Sequence, residues 1–198
     1  MLPEPIHNAA AAFDSLPGLG PRAALRYAYW LVTQPKETIL RFAKSIEQLA
    51  HGVTTCDICG QWAERSPCSI CSDPKRDASI LCVVAHAQDV RVVEETAAFK
   101  GRYHILGGTL DPIEGRTPES LRIPQLMARL KAQDSNFKEV ILAFDADIPG
   151  DTTSLYLKKQ FSSLPLKITR LARGLPAGAA LEYADATTLA DALTNRKE

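Results

Sequence analysis

Four of the five cysteines fall into two pairs, Cys56-x2-Cys59 and Cys68-x2-Cys71, with eight residues between the pairs. Two knuckles of this kind can set four thiolates tetrahedrally around one Zn²⁺, at Zn–S distances of about 2.3 Å. Four sulphur ligands leave no open coordination position, so the expected site is structural, with one Zn²⁺ per chain. Gly60 follows the first knuckle, where a tight turn needs backbone freedom. Residues 51–78 hold few large apolar side chains, and a metal would supply the folding energy that a core does not. Two disulfides, or free buried thiols, are the competing readings. The odd cysteine count, and a start from Met1 to Ala12 without a basic cluster and apolar core, argue for a cytoplasmic setting and against disulfides. Cys82 lies inside an apolar run and reads as a core residue.

A second constellation is Leu16-Pro17-Gly18-Leu19-Gly20-Pro21, two glycines one residue apart between helical patterns. Gly18 and Gly20 allow a sharp turn and remove the Cβ atoms that would hold a ligand off. Backbone N–H groups at the start of the next helix suit a phosphate oxygen. Arg22 and Arg26, four apart, project from one face of that helix. Between Asp14 and Lys44 five basic residues (Arg22, Arg26, Lys36, Arg41, Lys44) stand against Asp14 and Glu37. The arrangement fits a clamp on the nucleic-acid backbone that is indifferent to sequence. A plain helix–helix turn with solvated arginines is the alternative.

The third is Asp145-Ala146-Asp147, directly after the apolar run Val140–Phe144. Ligands of open α/β sheets bind at that end of a strand, and two carboxylates two apart in extended chain can face one Mg²⁺. Asp151 is expected to cap the helix that follows. Turn and capping roles for Asp145 and Asp147 compete with the metal reading. No GxxxxGK[ST] loop occurs, which argues against P-loop ATP hydrolysis. His7, His51, His86 and His104 have no spacing that suggests catalysis and read as surface or structural residues.

The elements that must position these groups follow from periodicity. Helices are expected over 7–16, 22–32 and 36–50, the last with Ile39, Leu40, Phe42, Ala43, Ile46 and Leu49 on one buried face, in a region too small to complete a core without partners. From Ser79 onward, strands over 80–85, 103–106, 140–144 and 166–171 alternate with helices over 88–98, 124–132, 152–161 and 188–195. Such alternation implies a mainly parallel, three-layer α/β domain. The chain of 198 residues carries 23 Lys+Arg against 23 Asp+Glu, so it cannot coat nucleic acid by overall charge, and binding must come from a local patch. No apolar run approaches the roughly 18–20 residues that cross a bilayer, so no membrane association is expected.

The collinear order of Leu16-Pro17-Gly18-Leu19-Gly20-Pro21-Arg22, the cysteine quartet with Ser72-Asp73-Pro74-Lys75-Arg76-Asp77, Ile80–Val84, Gly101–Gly108 and Gly174-Leu175-Pro176-Ala177-Gly178 with Leu181–Asp185 resembles the RecR family of bacterial recombination mediators over nearly the whole chain. The resemblance implies a helix-hairpin-helix domain over 1–52, a four-cysteine zinc finger over 53–78, a Toprim domain over 79–173 and a C-terminal segment over 174–198. It implies a non-catalytic role in DNA repair, with RecO and RecF as partners at single-strand gaps or junctions, helping RecA replace single-strand-binding protein. It also implies a homo-oligomer, a dimer or a ring of four able to encircle DNA, in the cytoplasm at the nucleoid. By position, Arg22 and Arg26 match the family's basic hairpin residues. The glutamate that Toprim enzymes carry at the end of the first strand is matched here by Ala85, which argues against Mg²⁺ at Asp145 and Asp147. The acidic cluster Asp145, Asp147 and Asp151 is then expected to dock a partner protein or to hold Mg²⁺ weakly through waters. Two other classes stand beside the mediator: a Toprim-type metal-dependent phosphoryl-transfer enzyme, and a zinc-stabilised module that binds only protein.

Overall fold

The computed structural model describes residues 2–133 and 135–196; residues 1, 197 and 198, at the ends of the expected first and last regions, lie outside it. The chain divides into two compact units, Met1–Val53 and Thr54–Glu198.

The first unit is three helices: α1 (Glu4–Asp14), α2 (Pro21–Val32) and α3 (Lys36–Gly52). Proline in the first turn starts both α1 and α2, where its missing N–H costs nothing. Ala24 and Ala28 are the buried residues of α2, and these small side chains let α1 approach closely. Phe13 of α1 meets the Tyr27 ring edge-on at 6.1 Å and lies 6.5 Å from the Phe42 ring. The expectation of a buried face on α3 is not met. Ile39 is half-buried, while Leu40, Phe42, Ala43, Ile46 and Leu49 are exposed. The periodicity is real, but three short helices do not enclose a stripe of this width.

The second unit begins with a finger. β1 (Thr54–Thr55) and β2 (Trp62–Ala63) form a two-stranded antiparallel ribbon, and α4 (Ser69–Ser72) is a single turn. A four-stranded sheet follows, in the order β4 (Arg102–Ile105), β3 (Ile80–Val84), β5 (Glu139–Ala143), β6 (Lys167–Arg170), parallel throughout. Its helices are α5 (Ala87–Glu95), α6 (Ile123–Lys131) and α7 (Ile148–Phe161); α8 (Ala186–Thr194) follows the sheet.

Successive residues of a strand face opposite sides of the sheet, and β3 shows why its sequence is apolar throughout. Leu81 and Val83 pack with Leu126 and Leu130 of α6 and Leu157 and Phe161 of α7. Cys82 and Val84 pack on the other face with Val90 of α5, Tyr103, Ile105 and the finger cysteines. The finger and α5 thus form one outer layer, and α6 and α7 the other.

Helix α7 starts earlier than its sequence pattern suggests. Asp147 caps it, its Oδ1 accepting the Gly150 N–H at 2.7 Å, so the expected cap at Asp151 is wrong by one turn. Proline at its second position tolerates the early start.

Candidate metal centre and nucleic-acid interface

Each knuckle of the finger closes by backbone hydrogen bonding. The Gly60 N–H reaches Cys56 O at 2.8 Å, and the Ser72 N–H reaches Cys68 O at 3.0 Å. Gly60 adopts φ +85°, and a Cβ there would stand 2.8 Å from Arg122 Nε and 3.1 Å from Ile105 O. Only glycine meets both demands. The result brings the four Sγ atoms within 4.8 Å of one another, with Cys59 and Cys68 Sγ 3.6 Å apart. A tetrahedral tetrathiolate site needs sulphurs about 3.8 Å apart, so the donor set fits a metal ion. The thiols alone resist full ionisation. A hydrogen bond with Cys71 draws the Cys59 thiol down to about 5, and the same contact, helped by burial, pushes Cys71 up. A dication is what lets all four carry charge together. Cys56, Cys59 and Cys68 are buried and Cys71 half-buried, which closes the centre to solvent chemistry.

The finger is fastened to the sheet at three points. The Ile105 N–H donates to Cys59 O at 2.7 Å, extending the ladder of edge strand β4 into the first knuckle. Arg122 Nη2 donates to Asp57 O at 3.2 Å. Below the second knuckle, Arg76 forms a two-pronged ion pair with Glu94 of α5, whose Oε1 also accepts the Tyr103 hydroxyl at 2.6 Å. The Arg76 guanidinium holds the Glu94 carboxyl below its ordinary range. Asp77 turns the chain into β3 by accepting from Ser79 N and Oγ at 2.8 and 2.7 Å. Residues 73–77 therefore serve the joint between finger and sheet.

Cys82 is a buried core thiol pushed up to about 12 by desolvation. His104 lies fully buried, with Nε2 3.0 Å from Arg122 O and Nδ1 unpartnered among the described residues. Burial pulls it down to about 4. A neutral buried histidine stabilises the fold above the ordinary histidine range near 6.5, and that contribution disappears as pH falls from about 6.5 to 4, by about 3 kcal/mol at most. Urea midpoints of the wild type are therefore expected to fall between pH 7 and 4.5 more steeply than those of His104→Gln. Parallel profiles would remove His104 as the cause.

In the first unit, the hairpin turns through Gly18 at φ +80°, with the Leu19 N–H reaching Leu16 O at 3.2 Å. Gly20 is the extended residue before α2, and its O accepts the Ala24 N–H at 3.0 Å. The Arg22 and Ala23 N–H groups have no acceptor among the described residues. Arg22 and Arg26 are exposed beside them, on the side of α2 opposite Ala24 and Ala28, and Arg26 lies over the Tyr27 ring at 5.7 Å. Free amides at a helix start, flanked by two guanidinium groups, form a surface that accepts phosphate oxygens.

The acidic cluster does not stay together. Because Val84 pairs with Ala143, Ala85 and Asp145 emerge at the same sheet edge and border one cavity of about 280 Å³. Asp147 instead caps α7, and Asp151 is engaged by Arg170 and Arg173, which hold its carboxyl below the ordinary range. The cavity has a second carboxylate that the sequence reading passed over, Asp89, placed there by the first turn of α5 and accepting the His86 N–H at 2.7 Å. An acidic residue one turn into an ordinary amphipathic helix carries no signal of such a location. Among the described residues, the cysteine quartet is the one group of three or more ligating side chains whose donor atoms converge.

Comparison with known families finds three family models that match along the chain. The family model described as RecR, helix-hairpin-helix matches residues 6–50, that of the Toprim domain residues 79–172, and that of RecR, C-terminal residues 174–197. The chain is 45% identical over 196 residues to the Recombination protein RecR of Moorella thermoacetica, covering 99% of this chain and 98% of that one. It is 44% identical over 187 residues to the Recombination protein RecR of Bifidobacterium longum subsp. infantis, covering 94% and 92%.

Proposed function

The chain belongs to the RecR family of recombination proteins, and from that membership we propose that it is a DNA-binding mediator without chemistry of its own, acting with RecO and RecF to help load RecA at single-strand gaps. Its role in recombination and DNA repair follows from the family. The observation that carries the DNA-binding part is the hairpin, where Arg22 and Arg26 flank two unbonded backbone N–H groups. Gly18, Gly20, Arg22 and Arg26 are the proposed contact, indifferent to sequence because it engages phosphates. The metal of Cys56, Cys59, Cys68 and Cys71 is proposed to be Zn²⁺, one per chain, which takes four thiolates in closed structural sites. The uncovered apolar face of α3 supports a homo-oligomer, a dimer or a ring of four, since exposed stripes of this kind mark interfaces. We take residues 1–52, 53–78, 79–173 and 174–198 as the working domains. Cytoplasmic, nucleoid-associated action is part of the same proposal; no helix among the described residues is long and apolar enough to cross a membrane.

A Toprim-type phosphoryl-transfer enzyme is the second reading, favoured by Asp145 at the carboxyl edge of the sheet. Ala85 offers a methyl group where such an enzyme presents a carboxylate, and Mg²⁺ prefers a full set of hard oxygen ligands. Incubation with gapped, supercoiled and single-stranded DNA plus Mg²⁺ or Mn²⁺ is expected to yield no product. Asp145→Asn combined with Asp147→Asn is expected to leave DNA affinity within about threefold and to weaken docking of a partner protein. Product formation that the double change abolishes overturns the mediator reading. Gel-shift binding to gapped DNA, with and without RecO and RecF, tests the mediator directly; no binding in any combination counts against it.

A further inference from the structure

Three arginines of the sheet unit lie around the finger: Arg102 at the start of β4, Arg122 at the start of α6 and Arg129 near the end of α6. Among the described residues none of them is in an ion pair with a carboxylate. Each also has a buried guanidinium nitrogen with no hydrogen-bond partner there: Arg102 Nε, Arg122 Nε and Arg129 Nη2. Where their nitrogens are bonded they reach backbone carbonyls, Arg122 Nη2 the Asp57 O at 3.2 Å and Arg129 Nη1 the Tyr103 O at 2.6 Å. The nearby finger carboxylate, Asp57, turns to Ser66 Oγ at 2.9 Å instead. Arg102 and Arg129 share a cavity of about 180 Å³ with Ile58 of the first knuckle, and the Arg122 side chain lies against Gly60.

All three side chains are half-buried, and guanidinium nitrogens taken out of water without a partner are costly. Arginine also cannot escape by losing its proton. Arg129 is partly compensated by lying over the Phe137 ring at 5.3 Å, and the cysteine quartet is the candidate anion for the group as a whole. Arg122 reaches the first knuckle directly, through Asp57 O and its packing on Gly60, and Arg129 reaches Tyr103, which packs in one cluster with Cys56, Cys59, Cys68 and Cys71. Four thiolates around one dication sum to a charge of minus two, spread over large, polarizable sulphurs. Guanidinium is weakly hydrated and delocalised, and suits such an anion better than an ammonium does.

We propose that Arg129 and Arg122, with Arg102 behind them, form a cationic shell that neutralises the metal–tetrathiolate centre and locks the finger onto the sheet only when the metal is bound. These arginines are positioning residues, not ligands. The shell makes metal loading and docking of the finger one event. Without the metal, the thiols hold less negative charge and the three guanidinium groups repel one another. The proposal rests on the metal reading of the quartet.

The test uses the full chain, loaded with Zn²⁺ and titrated against a chromophoric chelator. Arg129→Met keeps length and apolar bulk but removes the charge. It is expected to weaken Zn²⁺ by about tenfold or more, the range for outer-shell partners of metal ligands. Arg129→Lys is expected to recover most of that loss, and Arg122→Met to show a smaller one. Thermal unfolding separates charge from packing: Arg129→Met is expected to lower the midpoint of the Zn²⁺-loaded protein and to leave that of the chelator-stripped protein unchanged or raised. If Arg129→Met and Arg122→Met both hold Zn²⁺ within twofold of the wild type, or if loaded and stripped proteins lose equal stability, the shell is refuted while the metal site stands. A wild type that binds no Zn²⁺ removes the site itself and the shell with it.

Discussion

Cys59→Ser is expected to abolish metal binding and to unfold the finger. Cys59 is the sulphur that the other thiols support, through its hydrogen bond with Cys71 and its 3.6 Å contact with Cys68. Apparent binding energies of structural Zn²⁺ are on the order of 10–16 kcal/mol at neutral pH, and in small finger segments that energy is folding energy. The segment has little else, since its ribbon is two residues per strand and α4 one turn. The damage reaches further, because the buried cysteines cover Cys82, Val84, Tyr103 and Ile105 on one face of the sheet. Metal content near one Zn²⁺ per wild-type chain and near zero for the variant is the expected result, with a lowered melting midpoint. A chelator should reproduce the loss in the wild type. Wild-type protein purified without chelator that contains no metal would falsify the assignment.

The second large effect is expected at the hairpin. Arg22→Ala with Arg26→Ala removes two phosphate partners, and each contact contributes about 0.9 to the slope of log affinity against log salt concentration. The slope should therefore shrink by about two, and affinity at moderate salt should fall by about 10–100-fold, equally for unrelated sequences. Stability should hardly change, because both side chains are exposed opposite the buried Ala24 and Ala28, and the exposed contact of Arg26 with Tyr27 is worth under about 1 kcal/mol. Salt titrations on duplex, gapped and single-stranded DNA measure it. An unchanged slope and affinity would remove the hairpin as the contact.

Sequence and structure divide the account along physical lines. Spacing alone carried the knuckles, because ligands with two residues between them on a tight turn are held by local backbone geometry. Local chemistry also carried the hairpin: glycine for the turn, proline for the first helical position, arginines four apart for one face. The parallel sheet was legible because a strand buried on both sides must be apolar throughout, as Ile80–Val84 is.

What the sequence could not contain is which neighbours meet. Periodicity on α3 marks an apolar stripe, but whether anything covers it depends on how many elements share its core, and among the described residues it is left largely exposed. Asp145, Asp147 and Asp151 look like one cluster because they are close along the chain. The early start of α7 turns Asp147 into its cap and sends Asp151 to Arg170 and Arg173, leaving Asp145 to share its cavity with Asp89, 56 positions earlier by number. Arg102, Arg122 and Arg129 each look like ordinary surface residues in sequence. Only the tertiary structure brings the side chains of Arg102, Arg122 and Arg129 beside the finger, because electrostatic environment is set by distance in space, which the chain order of these residues does not encode.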